Sequence, residues 1–528
     1  MFIRGPWLFM PTEDFDETTY LALNPDVAHA VRAGAFASGR EHWDLHGHAE
    51  GRVAFLPPDF DELMYLDLNP DVWQAVLQGA WPSGYHHWIH QGKAEGRLLR
   101  PVSGLPTGWN EPRYLRLNPD AARMVREGKF ASGYEHWLQS GSYEGRPGAT
   151  ELYPKISLQE ALKNAPAGFN LFAFDDPSVG LGAAARGYAN ALRQCLPVHN
   201  VPVPWNLKIG PDAKNLRPPY AINLVHMNPE ALPAFLRHYG HVLPAHYNVG
   251  LWAWELHACY AEWHAFSRLF NEIWVPSTYS AAAVRSVSAV PVHVIPYVVD
   301  ALPTESSFRR SAFNLDDSAF LFAYVFDPAS TFERKNPLAL FRAFRKAFGE
   351  SRDVQLVFKL HHGGWAPAAT KLLERLAYGT TNVRTIDQTF SEEEFYGLLR
   401  SCDCFVSPHR AEGYGLNIAS AMFYQKPVIV TGYSGNMDFT TPDNAFLIDY
   451  DLVPLERDID CFKAGYVWAE PSEDHLAALL RAVVDARDDA HRRAERGQQT
   501  IRKHYKARVV SDAIHGRLTA WGFEATVA

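Results

Sequence analysis

Two short apolar segments, separated by a glycine-containing turn and a helix start, place the strongest constraint on how this chain can fold. Residues 402–408 (CDCFVSP) and residues 426–431 (KPVIVT) are each predicted to form a buried strand. The turn between them contains Glu412, Gly413 and Gly415. The predicted order is therefore strand, turn, helix and strand, which is typical of a parallel α/β domain.

The chemistry of this turn points to an anionic ligand. A helix that begins after a buried strand directs unpaired backbone N–H groups and the positive end of its dipole above the sheet. Gly413 and Gly415 let the backbone approach an anion closely, and Leu416 and Asn417 provide first-turn amides. Glu412 can accept hydrogen bonds from sugar hydroxyls. The alternative is a helix-capping turn whose glycines serve only the bend.

Residues 407–438 resemble the donor-binding region of retaining glycosyltransferases of the two-Rossmann-domain (GT-B) type, as in glycosyltransferase family 4, or glycosyl transferases group 1. In that family a glutamate near the transferred sugar and a second glutamate at the ribose are separated by seven residues. Glu412 occupies the first position, and Ser420 stands at the second, where the sequence departs from the family. The resemblance also places Asn436 in the donor site.

Residues 326–337 (FDPASTFERKNP) follow a predicted strand at 319–325 and resemble the basic phosphate-binding loop of the same family. The resemblance implies that Lys335 neutralises the donor diphosphate and stabilises the leaving nucleotide, with Arg334 as a second contact. The family more often places its arginine near Ser330. The alternative is a solvated Arg-Lys pair at a helix start, which the helix dipole disfavours.

An earlier strand, turn and helix predict a second Rossmann-like domain. Residues 170–174 are predicted to form its first strand, and Gly180 and Gly182 open the helix that follows. This turn resembles the acceptor-side glycine loop of the family. Its spacing is not that of the dinucleotide-binding fingerprint, which argues against a nicotinamide cofactor.

Residues 247–256 (YNVGLWAWEL) are predicted to form an aromatic strand that ends in a carboxylate. The resemblance places this strand end at the cleft, where Trp254 would stack on a sugar and Glu255 would bind acceptor hydroxyls or act as a base. His226 is a further acceptor-side candidate. The alternatives are that Trp252 and Trp254 belong to the core and that His226 is structural.

The beginning of the chain contains a repeat of a different kind. The sequences YLALNPDV (20–27), YLDLNPDV (65–72) and YLRLNPDA (114–121) recur with a period in the forties, which predicts stacked helical modules. Each Asn-Pro-Asp predicts an N-cap followed by the first turn of a helix. Serines are predicted to cap a third helix and glycines to end it, at Ser38, Ser83, Ser132, Gly47, Gly92 and Gly141. A histidine beside each tryptophan fits packing better than metal binding.

The length of 528 residues predicts about three domains. We expect a three-unit helical repeat module at 1–150, an acceptor-side Rossmann-like domain at 151–297, a donor-side domain at 298–505, and a helix at 506–528 that packs back on the N-terminal half. The predicted fold class is thus α/β, a GT-B fold of two Rossmann-like domains facing a cleft, preceded by an all-α module.

Composition and charge restrict the location and partners of the chain. The net charge of −9 and the absence of a basic stripe argue against nucleic-acid binding. Five cysteines without zinc-ligand spacing predict reduced thiols in a cytosolic protein. The start shows no signal-peptide pattern, and no apolar run reaches transmembrane length. The predicted location is the cytoplasm, with peripheral contact to the inner membrane if the acceptor is lipid-linked.

The predicted activity is transfer of a sugar from a nucleoside-diphosphate sugar, a co-substrate, to a glycan, lipid-linked glycan or protein, with the repeats recruiting a protein partner. The resemblance implies a retaining reaction without a metal or other cofactor. The Asp-x-Asp pairs at 14–16 and 59–61 lie in the repeats, away from the predicted cleft. The alternative is a catalytically inactive GT-B scaffold or a glycan- or protein-binding protein, which Ser420 supports.

Overall fold

The computed structural model describes residues 15–50, 52, 60–81, 83–99, 109–141, 146, 155–174, 180–210, 213, 215–300 and 307–523. The chain forms two compact units, Met1–Tyr153 and Pro154–Ala528. Within the described part of the chain, no helix is both long enough and apolar enough to cross a membrane. The beginning of the chain, on which the absence of a signal peptide was predicted, lies outside the described residues.

The first unit is helical and uses the same elements three times. Each repeat contains two longer helices, one short helix and a π-helical turn. The helices are α1 (Glu17–Leu23), α2 (Pro25–Arg32), α3 (Gly39–His42), α4 (Glu62–Leu68), α5 (Pro70–Leu77), α6 (Gly84–His87), α7 (Glu111–Leu117), α8 (Pro119–Arg126) and α9 (Gly133–His136), and the π turns are Trp43–Gly47, Trp88–Gly92 and Trp137–Gly141.

The caps of these helices differ in part from the sequence prediction. Ser38, at the start of α3, accepts a hydrogen bond from the amide of Glu41, as a capping serine should. Asn24 stands at the N-cap of α2, but its side chain does not cap that helix. It donates instead to the carbonyl of Tyr20 at 2.8 Å, so it ties the end of α1 to the start of α2.

Each repeat centres on a buried tyrosine. In the first repeat, Tyr20 Oη lies 2.9 Å from His42 Nδ1, which gives the histidine a hydrogen-bonding role. A Cβ atom on Gly47 would lie 2.0 Å from the same hydroxyl, so this glycine, the last residue of its π turn, makes room for the tyrosine. Asp16 caps α1 through the amide of Thr19. The first aspartates of the two Asp-x-Asp pairs, residues 14 and 59, lie outside the described residues.

The second unit is built on two parallel sheets of six strands each and a two-stranded antiparallel hairpin. The first sheet has the order β2-β1-β3-β4-β5-β6 and the second the order β12-β11-β10-β7-β8-β9. The strands are β1 (Phe169–Phe174), β2 (Val198–Val203), β3 (Ile222–His226), β4 (Tyr247–Leu251), β5 (Glu272–Val275), β6 (Val292–Val294), β7 (Phe320–Phe326), β8 (Val354–Leu360), β9 (Val383–Ile386), β10 (Cys404–Ser407), β11 (Val428–Thr431), β12 (Phe446–Ile448), and the hairpin strands β13 (Tyr450–Pro454) and β14 (Val467–Pro471).

Helices lie between the strands of both sheets. Those of the first half are α10 (Leu158–Asn164), α11 (Gly180–Arg193), α12 (Leu232–Tyr239), α13 (Trp263–Ser267) and α14 (Thr278–Arg285). Those of the second half are α15 (Phe332–Lys335), α16 (Pro337–Phe348), α17 (Pro367–Tyr378), α18 (Glu392–Ser401), α19 (Leu416–Phe423), α20 (Glu473–Asp485), α21 (Arg487–His504) and α22 (Ala507–Ala520).

The apolar character of the strands explains this architecture. β7 (FLFAYVF) and β8 (VQLVFKL) are buried along their whole length, as expected for strands of a parallel sheet covered on both faces. The two sheets form the two Rossmann-like halves that the sequence predicted. One boundary differs, because the strand expected at 247–256 ends at Leu251. The residues from Trp252 to Glu255 therefore lie in a loop at the carboxyl edge of the first sheet.

The last helix, α22, belongs to the second half in sequence but packs on the first. Arg517 Nη2 lies 2.6 Å from Glu272 Oε2, at the start of β5. Trp521 Nε1 donates to the same carboxylate at 3.0 Å. The chain thus crosses between the two halves twice, and the amide of Val299 donates to the carbonyl of Tyr505 at 2.7 Å where the two crossings meet.

Candidate functional site

The candidate site lies at the carboxyl edge of the second sheet. β10 is hydrogen-bonded to β7, so the loops that follow these two strands are neighbours. The loop after β7 carries Arg334 and Lys335 in α15, and the loop after β10 carries Glu412. Ligands of open parallel sheets bind at this edge.

Two cations and two carboxylates meet there. Lys335 Nζ lies 2.5 Å from Glu412 Oε1, and Arg334 Nη1 lies 3.4 Å from the same oxygen. Arg334 Nη2 lies 3.7 Å from Oε1 of Glu255, which comes from the first half of the unit. The structure therefore brings together the three residues predicted to be catalytic, Glu412, Lys335 and Glu255, and it adds Arg334 between the two carboxylates.

Arg334 is fixed in place by backbone and side-chain oxygens. Only 2% of its side chain is exposed, and Nη1 donates to the carbonyl of Ala411 at 2.8 Å. Nη2 donates to Ser330 Oγ at 2.8 Å. The backbone on both sides of α15 turns sharply, because Thr331 (φ 61°) and Asn336 (φ 54°) have positive φ values. These turns hold the Arg-Lys pair against the loop that carries Glu412.

Burial and neighbouring charges give the two carboxyl groups different pKa values. Burial alone would raise the pKa of Glu412, but Lys335 and Arg334 outweigh burial and lower it to about 2. For Glu255 burial prevails over the attraction of Arg334, and its pKa is raised. Burial and Arg334 lower the pKa of Lys335, against the attraction of Glu412. Glu412 is thus the permanently ionised carboxylate, and Glu255 is the better proton acceptor of the two.

The low pKa of Glu412 makes stability depend on acid pH. Its folded-state pKa of about 2 lies below the ordinary value of 4.5, so its stabilising contribution is complete above pH 4.5 and is lost as the pH falls toward 2. Glu412→Gln should lack this part of the pH dependence. Urea unfolding of both proteins across this range measures it, and identical pH profiles would contradict the expected result.

The turn that follows Glu412 is held by close backbone packing. Gly415 has φ +92° at the N-cap of α19, a conformation that favours glycine. A Cβ on Gly413 would lie 3.1 Å from the carbonyl oxygen of Trp254. Ser277 Oγ, from the first half of the unit, donates to the carbonyl of Gly413 at 2.6 Å. Gly413 and Gly415 therefore allow neighbouring groups to pack closely against the turn, in addition to allowing the backbone to bend.

The structure supports a further prediction at Gly435, which packs under this turn. A Cβ there would lie 2.2 Å from the carbonyl oxygen of Gly413 and 2.8 Å from the amide of Tyr414. Because these atoms are backbone, Gly435→Ala should lower the free energy of unfolding by about 1–3 kcal/mol and displace the turn. Chemical denaturation checks this, with Gly432→Ala as the control, since its Cβ would lie 3.4 Å from its nearest neighbour. Equal stability of the two variants would contradict the expected result.

The first turn of α19 presents backbone amides at the same edge. The first helical hydrogen bond runs from the amide of Ala419 to the carbonyl of Gly415, so the amides of Leu416 and Asn417 precede it. The side chain of Asn417 donates to the carbonyl of Val325, at the end of β7, at 3.1 Å. Asn417 therefore anchors the helix start through its side chain, and only its amide points to an anion-binding role.

Two of the predicted donor-site side chains are buried. Ser420 is 3% exposed within α19. Asn436 is fully buried, with its Oδ1 3.0 Å from His409 Nε2 and its Nδ2 donating to the carbonyl of Thr431 at 3.0 Å. The Asn436 side chain thus joins a core hydrogen-bond network with His409, and the place of this residue at the donor stays a prediction.

Two side chains predicted on the acceptor side, Trp254 and His226, are both buried. Trp254 is 1% exposed, its Nε1 donates to the carbonyl of Ala258 at 2.8 Å, and its ring packs on Trp263. Its ring is therefore part of the core, as the alternative interpretation held, and cannot stack on a sugar. His226 is also buried, which lowers its pKa to about 3, and its Nε2 lies 3.5 Å from Tyr297 Oη.

Gly180 and Gly182 open α11 as predicted, with Gly180 exposed and Gly182 buried. A Cβ on Gly180 would meet no atom within 4 Å, so packing does not require glycine at this position. Residues 175–179, which belong to the same predicted loop, lie outside the described residues.

Sequence reasoning missed one carboxylate and the contacts between the two halves. Glu230 follows β3 and is exposed as a whole, but the crowding of its carboxyl and the nearby charge of Glu255 raise its pKa. The amide of Thr278 donates to Asp438 Oδ2 at 2.7 Å, and Tyr279 Oη lies 2.9 Å from Tyr433 Oη. The signal for Glu230 was an Asn-Pro-Glu helix start after a strand, but the contacts between halves left no local signal.

The described residues contain no group of three or more His, Cys, Asp or Glu side chains that could hold a metal ion. The charges at the site come instead from side chains and backbone amides. Such an arrangement can bind an anion and stabilise charge on a leaving group.

Comparisons with known proteins agree with this geometry. Residues 328–456, which include Lys335 and Glu412, match the family described as glycosyl transferases group 1. The structure of Anabaena Alr3699/HepE in complex with UDP and glucose is similar, with a TM-score of 0.50 and 14% identity over 67% of this chain and 100% of that one. Sucrose-phosphate synthase from Thermosynechococcus elongatus has a TM-score of 0.51 and 14% identity, over 67% and 99%. No curated protein sequence matches the chain. The fold is GT-B, and the second half carries a glycosyl transferases group 1 domain.

Proposed function

We propose that this chain is a glycosyltransferase that moves a sugar from a nucleoside-diphosphate sugar to an acceptor, with retention of configuration and without a metal. The observation that supports this most is the cluster of Lys335, Arg334 and Glu412 at the carboxyl edge of the second sheet. Two cations side by side suit a diphosphate, and a carboxylate held ionised beside them suits a sugar that develops positive charge.

The reaction breaks the bond between the sugar and the diphosphate, so negative charge grows on the leaving oxygens. Lys335 and the amides of Leu416 and Asn417 would offset that charge, because preorganised groups stabilise it without reorganising. Lys335 is paired with Glu412 at 2.5 Å. A bound diphosphate would share Lys335, leaving Glu412 free to accept hydrogen bonds from the donor sugar.

Glu255 is the candidate acceptor-side group. It stands on the first half of the unit and faces Arg334 at 3.7 Å across the cleft. Its raised pKa makes it a better base than Glu412. We assign it the binding of the acceptor hydroxyl or the removal of its proton. Glu230, whose pKa the nearby charge of Glu255 helps to raise, would add a second acceptor-side carboxylate.

We propose that the acceptor is a surface glycan, a lipid-linked glycan or a protein that the repeats recruit. Transfer would take place in the cytoplasm, with peripheral contact to the inner membrane if the acceptor is lipid-linked. The complex of Anabaena Alr3699/HepE with UDP and glucose makes UDP-glucose the first donor to test. The donor is a co-substrate, and the proposal includes no other cofactor.

A nucleotide-sugar panel tests the activity. Each donor is incubated with the full chain and an acceptor mixture, and released nucleotide is measured beside donor binding. Turnover of at least one donor supports the proposal. Tight donor binding without turnover, across all acceptors, would favour the second candidate, a GT-B scaffold without activity. The observation that favours this candidate is Ser420, which is buried and carries no carboxylate where the family has its ribose contact.

The role of the first unit can be tested by removing it. Because Pro154–Ala528 forms a compact unit of its own, deletion of residues 1–150 should leave the rate on a small acceptor unchanged. If the repeats recruit a protein or glycan, the rate on that natural acceptor should fall at least about tenfold, as expected when a tethered acceptor becomes a free one. Equal losses on both acceptors, at unchanged melting temperature, would contradict a recruitment role.

A further inference from the structure

A second cluster of positive charge lies at the amino edge of the second sheet, opposite to Glu412. Two cavities of about 270 and 330 Å³ occur there, and Arg400 lines both. The larger cavity is also lined by Lys426 and Arg502. Arg400 lies at the end of α18, just before β10, and Lys426 lies just before β11. Since β10 and β11 are parallel, the cluster is separated from the donor turn by the length of the strands.

Asp317 lines the smaller cavity beside Arg400, but the larger cavity has a purely cationic lining of charged groups. No aspartate or glutamate lines this cavity. The Nη1 atom of Arg400 is buried and has no hydrogen-bond partner among the described residues. A buried guanidinium nitrogen without a partner is costly, and it shows that the protein supplies no oxygen that offsets the charge of Arg400.

Aromatic rings hold two of the cations in position. The guanidinium of Arg400 lies over the ring of Tyr424 at 5.9 Å, and that of Arg502 lies over the ring of Phe423 at 5.1 Å. A guanidinium over a ring keeps the N–H donors at its edge available. The guanidinium groups of Arg400 and Arg502 are therefore orientated before any ligand binds.

The usual role of cations at helix ends does not account for the cluster. α18, α19 and α21 all end here, and each helix end carries about half a negative charge, which three full cations exceed. The terminal carbonyls also have other partners. Gln498 Nε2 donates to the carbonyl of Phe423 at 2.8 Å, and Arg310 Nε donates to that of Ser401 at 2.9 Å.

We propose that this cavity binds a phosphate-bearing anion at a site separate from the donor pocket. The guanidinium group of an arginine can donate two parallel hydrogen bonds to two oxygens of one phosphate, and Lys426 adds a third positive charge. The cavity volume of about 330 Å³ is within the range of small-ligand sites. The phosphate belongs either to a free compound or to the head group of a lipid, and the two sources share the same recognition chemistry.

The test compares two full-length double variants with the same loss of charge. Lys426→Gln/Arg502→Gln removes two cations of the cavity and leaves Arg400 unchanged. Arg352→Gln/Lys371→Gln removes two exposed cations elsewhere on the same half and serves as the control. Both proteins also carry Lys335→Ala, so that the donor pocket does not contribute to phosphate binding. Equal melting temperatures establish that the variants are comparably folded.

Binding is measured in two arms. Inorganic pyrophosphate is titrated by calorimetry, and vesicles of phosphatidylcholine with phosphatidic acid are tested by sedimentation. We expect the cavity variant to bind at least about tenfold more weakly than the control in one arm, as for the loss of a charge-assisted hydrogen bond. A loss with pyrophosphate alone identifies a free ligand, and a loss with vesicles identifies a lipid head group. Equal binding by both variants in both arms would overturn the proposal.

Discussion

Glu412→Gln is expected to lower kcat/KM for sugar transfer by about 10²–10³-fold, the cost of removing one preorganised electrostatic group. Glutamine keeps the shape of the side chain but loses the charge that pairs with Lys335 at 2.5 Å and with Arg334 at 3.4 Å. The transferred sugar would lose the only ionised carboxylate that the proposed mechanism assigns to its face of the site. Initial rates with the donor identified by the panel measure the effect.

Glutamine is preferred to alanine at this position because alanine would remove the only side-chain oxygen within hydrogen-bond distance of Lys335 Nζ among the described residues, at a cost of about 3–5 kcal/mol in stability. Glu374→Gln is the matched control, since Glu374 is exposed on α17 of the same half. A rate for Glu412→Gln close to that of the control would contradict the assigned role. A melting temperature far below that of the control would show instead that the fold had changed.

Lys335→Ala should reduce kcat by a similar amount, about 10²–10³-fold, because the leaving diphosphate loses its nearest cation. Arg334 cannot replace it fully, since its guanidinium is already bound to Ser330 and to the carbonyl of Ala411. Donor affinity should fall as well, which calorimetry with the intact donor measures. The matched control is Lys371→Ala, an exposed cation on α17.

The two substitutions also distinguish binding from chemistry. Lys335→Ala is expected to weaken donor binding and slow transfer together, because a diphosphate carries charge before and after the bond breaks. Glu412→Gln is expected to affect kcat more than donor affinity, because its partner charge on the sugar appears only in the transition state. If Lys335→Ala changed only the affinity for the acceptor, the donor assignment would be wrong.

The sequence predicted the parts of the fold that depend on local pattern. Apolar runs such as residues 319–325 predicted β7 (Phe320–Phe326), and the glycine turn after β10 predicted the start of α19. Glu412 and Lys335 were predicted together only through a family resemblance, because 77 positions separate them in the chain. Their ion pair follows from strand order, which places β10 beside β7 and which no local pattern records.

The less successful predictions concern side chains whose environment is set by distant residues. Asn436 was expected at the donor, but His409 and Thr431 draw it into the core. Trp254 follows β4 in sequence, yet its ring turns inward onto Trp263. The alternation of large and small residues does not show whether a side chain at the end of a strand faces the cleft or the hydrophobic core.

The contact between Ser277 and the carbonyl of Gly413 makes the donor turn depend on the other half of the unit. Ser280 Oγ also lies 3.2 Å from that carbonyl, so two serines of the first half fix the turn of the second half. Lys335 and Glu412 stand on one half, but the shape of the turn between Glu412 and α19 is set by hydroxyl groups of the other. Replacing both serines by alanine should therefore loosen this turn while leaving every charged group of the site in place.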